Sequence, residues 1–168
     1  MNFDDYQKEA FSMSARDLGE PLTLAVWGLG LAGEASEVVD SSHVTSFDEM
    51  KKELGDVLWY VSAICTQRGI LLSRVIELSS HCDGRFPSRI DFCVAVGKVV
   101  EMIKKHVGHG HALDDVVLTD RLAKIVAFII AIAADSFTLA DIADANIAKL
   151  RERYGDRFSS EASINRSS

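Results

Sequence analysis

Apolar residues recur three and four positions apart through most of the chain. Leu54, Val57, Leu58, Val61, Ile64 and Cys65 make one stripe, and Leu122, Ile125, Val126, Ile129 and Ile132 make another. That spacing predicts helices with one buried face. Start signals agree with it. Ser46 with Glu49 and Thr138 with Asp141 are three apart, the arrangement in which side chain and backbone cap each other reciprocally. The two prolines, Pro21 and Pro87, stand near segment starts, where a missing N–H costs nothing. The pattern predicts helices at 3–16, 22–42, 47–67, 71–82, 89–106, 115–135 and 138–154, with a loose polar tail from Ser159 onward. The fold class is all-α, a helical bundle.

The pattern also echoes itself. Residues 54–64 and 122–132 share their apolar positions, and Leu72, Val75 and Leu78 correspond to Leu139, Ile142 and Ala145, at an offset of 67 or 68 residues. This predicts one domain over 1–168, built from two related halves, 18–84 and 88–158, packed as an intrachain pseudo-dimer.

Composition narrows the class. The chain has 168 residues, 48% hydrophobic and 26% charged, enough for one packed core and unlike a disordered chain. A net charge of −7 argues against a nucleic-acid polymer as partner, although an acidic protein can handle a small phosphorylated ligand through cations. Cys65, Cys82 and Cys93 are odd in number and form no C-x-x-C, which predicts free thiols and a reducing, cytoplasmic setting. Asp4 and Asp5 near the start do not fit a signal peptide. The longest apolar run, 125–134, is too short to span a bilayer, so no membrane partner is expected.

The informative chemistry is acidic. Glu34-Ala-Ser-Glu37 and Glu53-Leu-Gly-Asp56 each place two carboxylates three residues apart, on one face of a helix. Glu53 and Asp56 border the Val57, Val61, Ile64 stripe, and Glu34 and Glu37 border Trp27, Leu31 and Val38. Two such helices packed antiparallel bring four carboxylates to the rim of an apolar core. Like charges there are costly without compensation. A hard divalent cation supplies it, because Mg²⁺ takes carboxylate and phosphate oxygens. A single E-x-x-E is ordinarily a solvated helix face; two pairs at the core edge, a short connection apart, are not.

At these residues the sequence resembles the MazG-like nucleotide pyrophosphohydrolases of the all-α NTP pyrophosphatase superfamily, whose pattern is E-x-x-E, a spacer, then E-x-x-D. Residues 28–40 look like the first element and 52–60 like the second, with a 15-residue spacer between Glu37 and Glu53. Segments 104–111 and 146–154 also resemble family segments. The resemblance implies Mg²⁺-dependent hydrolysis of a nucleoside triphosphate to the monophosphate and pyrophosphate, with Mn²⁺ able to substitute. Glu34, Glu37, Glu53 and Asp56 would be metal ligands, and Asp40 an outer ligand. Glu34 or Glu37 would be the general base, and a water would attack the α-phosphorus. Lys104, Lys105, His109, Asn146, Lys149 and Arg153 would bind substrate. Clearing of non-standard or excess nucleotides is the role implied. Family members carry these parts in one short unit, whereas here they divide between the halves. Arg121 and Lys124 stand where the first half has Glu53 and Asp56, Ala95 and Lys98 where it has Glu34 and Glu37, and Ser79 and Cys82 where the second half has Asn146 and Lys149. This predicts one composite site between the halves, with pairing of whole chains left open. The rival class is a non-catalytic nucleotide-binding or regulatory helical protein.

Other features compete for attention. Gly28-Leu-Gly30-Leu-Ala-Gly33 matches G-x-G-x-x-G, but no βαβ alternation follows, so a dinucleotide fold is disfavoured. Close helix packing or close approach of substrate better explains these glycines. His106, His109 and His111 read as a glycine-rich polar loop, or as a segment touching phosphates through the family resemblance, rather than as a transition-metal site. Trp59 and Tyr60 either pack between the halves or stack on a base, and packing is favoured.

Overall fold

The computed structural model describes residues 2–14, 18–40, 46–82, 88–133 and 136–155. They form seven helices: α1 Phe3–Ser12, α2 Glu20–Val39, α3 Phe47–Gln67, α4 Leu72–Ser79, α5 Arg89–His109, α6 Asp115–Ala133 and α7 Leu139–Tyr154. No strand occurs among the described residues. Each expected helix is present. Reciprocal caps start α3 at Ser46 with Glu49, α5 at Ser88 with Asp91, and α7 at Thr138 with Asp141. Pro21 sits in the first turn of α2. The largest differences are at ends. Helix α1 stops at Ser12, and α5 continues three residues beyond the expected end before Gly110 closes it in the left-handed region, at φ 68°. Pro87, the expected ends at 42 and 135, and the tail from Ser159 lie outside the described residues.

Helix α2 packs on α3 and on α5, and α5 packs on α6. Helix α7 rests on α3, whereas α4 rests on α6. Helix α1 spans α3, α4 and α7. The shared core includes Leu24 and Leu31 from α2, Leu54, Leu58 and Ile64 from α3, and Leu122, Ile125 and Ile129 from α6. Phe92 of α5 stacks on Phe128 of α6, with ring centroids 4.1 Å apart.

The glycines of G-x-G-x-x-G lie inside α2, so the dinucleotide reading falls. A methyl group on Gly28 would meet Ile103 of α5 at 3.2 Å, and one on Gly30 would meet the Tyr60 ring of α3 at 2.1 Å. Two of the three are therefore close-packing residues, while a methyl on Gly33 would meet open space. Helix α2 is also long and apolar enough to cross a membrane by length and composition. It nonetheless carries Glu34 and Glu37 and packs on two other helices.

Polar contacts fasten the helix ends. The Arg68 guanidinium donates to Asp115 Oδ1 at 2.8 Å, to Asp115 Oδ2 at 3.1 Å and to Glu20 at 2.7 Å, joining the end of α3 to the starts of α6 and α2. Gln7 of α1, buried, donates to the Ile70 carbonyl at 2.8 Å and accepts from the Leu72 N–H at 2.8 Å, which caps α4 where no side chain of its own does so. The three cysteines are free thiols; burial pushes that of Cys65 up to about 12 and makes it inert.

Candidate active site

Helices α2 and α3 run antiparallel, since Glu37 lies by Glu53 while Gly30 lies by Tyr60. At the helical pitch this places both acidic pairs at one level. Glu34, Glu37 and Glu53 each offer a carboxylate oxygen, and these oxygens lie within 4.8 Å of one another. Burial, then the charges of Asp56, Glu37 and Glu53, push the Glu34 carboxyl up to about 7; Lys149 opposes them. Burial and the charges of Asp56 and Glu37 raise Glu53 as well.

Asp56 faces the same cavity with different partners. Lys149 of α7 forms an ion pair with Asp56 Oδ2, and Asn146 Nδ2 donates to Asp56 Oδ1 at 3.1 Å. Asn146 is only 3% exposed, and its Oδ1 accepts from the Tyr6 hydroxyl at 2.9 Å. A chain of hydrogen bonds thus runs from α1 through α7 to α3. Gly55 makes it possible: a methyl there would meet Asn146 Cβ at 3.2 Å.

The four carboxylates, Lys149 and Arg153 line one cavity of about 390 Å³. Its remaining wall is largely aromatic. Trp27, Trp59 and Tyr60 pack edge-on or tilted, with centroids 4.8–6.2 Å apart, and all three line the cavity. The Trp59 indole donates to the Ala10 carbonyl at 3.2 Å, while the buried Trp27 N–H has no partner among the described residues. Trp59 and Tyr60 pack against each other and against Trp27, and both line the cavity.

The structure does not gather every expected residue. Lys104 and Lys105 pair with Glu101 on their own helix, at 2.6 and 3.4 Å, and neither lines the cavity. His109 sits exposed in the last turn of α5, also away from the cavity, with its ring 6.2 Å from that of His111. The reason is rotational: α5 turns Val99 and Ile103 toward α2 and sends these basic side chains outward. Asn146 is buried, donates to Asp56 and is absent from the cavity lining. Asp40 caps the end of α2 outside the cavity. Sequence reasoning passed over Tyr6, Trp27, Leu150 and Tyr154. A buried phenol in α1 has no nearby motif to mark it. The other three sit one position from, or one turn before, residues already singled out.

Comparison with known proteins agrees with this geometry. Residues 23–89 match the family model of the MazG nucleotide pyrophosphohydrolase domain, a stretch holding all four carboxylates but neither Lys149 nor Arg153. No curated protein and no solved structure matches the chain. Within this all-α bundle, residues 23–89 are therefore similar to the MazG nucleotide pyrophosphohydrolase domain.

Proposed function

We propose that this protein hydrolyses nucleoside triphosphates to the monophosphate and pyrophosphate, using Mg²⁺, with Mn²⁺ able to replace it. One observation carries the reading: three carboxylate oxygens converge in a cavity whose opposite side bears Lys149 and Arg153. The donor set fits the cation. It consists of hard oxygens close enough to share one ion, and the raised carboxyl of Glu34 registers the electrostatic cost of leaving them together. When bound, the cation neutralises phosphate charge and favours attack at phosphorus.

The chain's own residues divide the remaining work. Glu34 or Glu37 takes a proton from the attacking water. Lys149 and Arg153 hold the outer phosphates. Asn146, fixed by Tyr6, orients Asp56, which in turn places Lys149. The aromatic wall receives the base. Lys104, Lys105 and His109 have no place in this scheme.

The same reading makes the site composite. Glu34, Glu37, Glu53 and Asp56 come from the first half, 18–84, and Lys149 and Arg153 from the second, 88–158. The pairing of α7 with α3, and of α4 with α6, supports an intrachain pseudo-dimer. A cytoplasmic role in clearing unwanted nucleotides follows from the family.

The test is pyrophosphate release from a panel of NTPs and dNTPs with Mg²⁺. Hydrolysis in ¹⁸O water should label the monophosphate. Label found only in orthophosphate would overturn the reaction assigned, and nucleotide binding without turnover across the panel would favour a regulatory protein.

A further inference from the structure

A second cavity, of about 850 Å³, lies between α4, α5 and α6. Seven of its lining residues stand at positions that the internal repeat matches to lining residues of the first. Ala95 and Lys98 stand for Glu34 and Glu37, Arg121 and Lys124 for Glu53 and Asp56, Ala127 and Phe128 for Trp59 and Tyr60, and Cys82 for Lys149. Every one of these residues lines its own cavity. Packing is reciprocal too, since α4 covers the second cavity as α7 covers the first. Chance would not align seven lining positions. Three of the four acidic positions have become basic and the fourth neutral. The larger volume follows from small residues, Ala127 and Cys82, where the first cavity has Trp59 and Lys149.

Such a wall repels a cation and attracts an anion. The charges are not fully spent within the protein. Lys124 pairs with Asp120 at 2.7 Å. Arg121 donates one N–H to the Lys98 carbonyl at 2.8 Å, which leaves its other donors and its charge. Lys98 is exposed and has no carboxylate partner among the described residues. Of the acids lining the cavity, Asp91 is turned to the α5 start, where its carboxylate accepts from the Ser88 N–H at 2.9 Å and the Ser88 hydroxyl at 2.7 Å. The Phe128 ring, stacked on Phe92, supplies a flat apolar floor beside the cations.

We propose that this second cavity is a metal-free binding site for a small phosphorylated anion, held by Lys98, Arg121 and Lys124. Both inorganic pyrophosphate and a nucleoside monophosphate share that chemistry; only the second would use the aromatic floor. The inference does not depend on the reaction proposed above, because binding can be read in a protein stripped of metal and without turnover.

The experiment is isothermal titration of the full chain, in EDTA and low salt, with inorganic pyrophosphate in one arm and a nucleoside monophosphate in the other. Three proteins are compared: the wild type, Lys98→Ala with Lys124→Ala, and Lys8→Ala, which removes an exposed charge that lines neither cavity. Removing two charged donors should weaken binding at least about tenfold. Lys8→Ala should leave it unchanged. Affinity for the monophosphate alone, with the same dependence on the variants, would identify the nucleotide as the occupant; affinity for pyrophosphate alone would identify the inorganic ion. Both altered lysines are exposed, so the double variant should melt like the wild type; if it does not, the two single variants are titrated in its place. No heat from the wild type with either ligand, or heat kept unchanged in the Lys98 and Lys124 variants, would overturn the proposal.

Discussion

Lys149 of α7 makes an ion pair with Asp56 of α3, 93 residues earlier in the chain. Both side chains are mostly buried, with 27% and 20% of their surface exposed. The pair joins the acidic side of the cavity to its cationic side and partly offsets the repulsion felt by Glu34. Replacing Lys149 by Ala should lower turnover about 10²- to 10³-fold, the range for removing one donor to a charge that develops during reaction. It should also raise the Glu34 carboxyl further, because Lys149 is the group holding it down. Steady-state kinetics with a circular-dichroism melt would check this; an unchanged kcat/KM in a folded variant would contradict the phosphate-binding role.

Glu53→Gln keeps the shape of the side chain and removes its charge from the three-carboxylate cluster. Mg²⁺-dependent turnover should fall by at least about 10²-fold, since a ligand matters no less than the groups that orient it. The metal-free fold should be unharmed, because relief of like-charge crowding offsets the lost ligand. Asp56→Asn should behave similarly in turnover, but through loss of the Lys149 pair. Near-normal activity in Glu53→Gln would remove the metal assignment.

What the sequence disclosed, and what it did not, follows from the range of each signal. Helix α3 was legible to both ends, because Ser46 with Glu49 marks its start and an unbroken stripe fills its length. The acidic pairs were legible because three residues make nearly one helical turn. The position of Lys104, Lys105 and His109 outside the cavity was not legible, because a basic run does not reveal which way its helix is rotated. Only the packing of Val99 and Ile103 fixes that. The link from Tyr6 to Asn146 spans 140 residues, and no local pattern carries information over such a distance.

The glycines of α2 offer a test with two opposite signs. Helix propensity alone favours Ala over Gly by about 1 kcal/mol. At Gly33 a methyl meets nothing within 4 Å, so Gly33→Ala should stabilise by up to that amount. At Gly30 it lands 2.1 Å from the Tyr60 ring, which must move. Overpacking of about 1–3 kcal/mol should outweigh the propensity gain and make Gly30→Ala destabilising. Because Tyr60 lines the cavity, KM should rise as well. Chemical denaturation of both variants measures the signs, and two shifts in the same direction would contradict the packing described.

Glu34 predicts a pH dependence. Its carboxyl titrates near 7 in the metal-free fold, against an ordinary value of 4.5, so the folded protein holds a proton that the unfolded chain has released. A raised value means that this group's contribution is most favourable below about 4.5 and is lost as pH rises through about 7. Glu53 is shifted in the same direction and reinforces the trend. In EDTA, the wild type should therefore melt at a lower temperature at pH 8 than at pH 5.5. Glu34→Gln carries no such penalty. Its melting temperature should lie closer to the wild type's at pH 5.5 than at pH 8, where it should exceed it. Mg²⁺ should reverse the ranking at pH 8, because it stabilises the ionised cluster and has little to bind once the carboxyls are protonated. Melting curves at the two pH values, with EDTA and with Mg²⁺, give the four comparisons. A difference between variant and wild type that stays constant across pH would show that Glu34 ionises as an ordinary surface carboxylate and that burial and its acidic neighbours do not govern it.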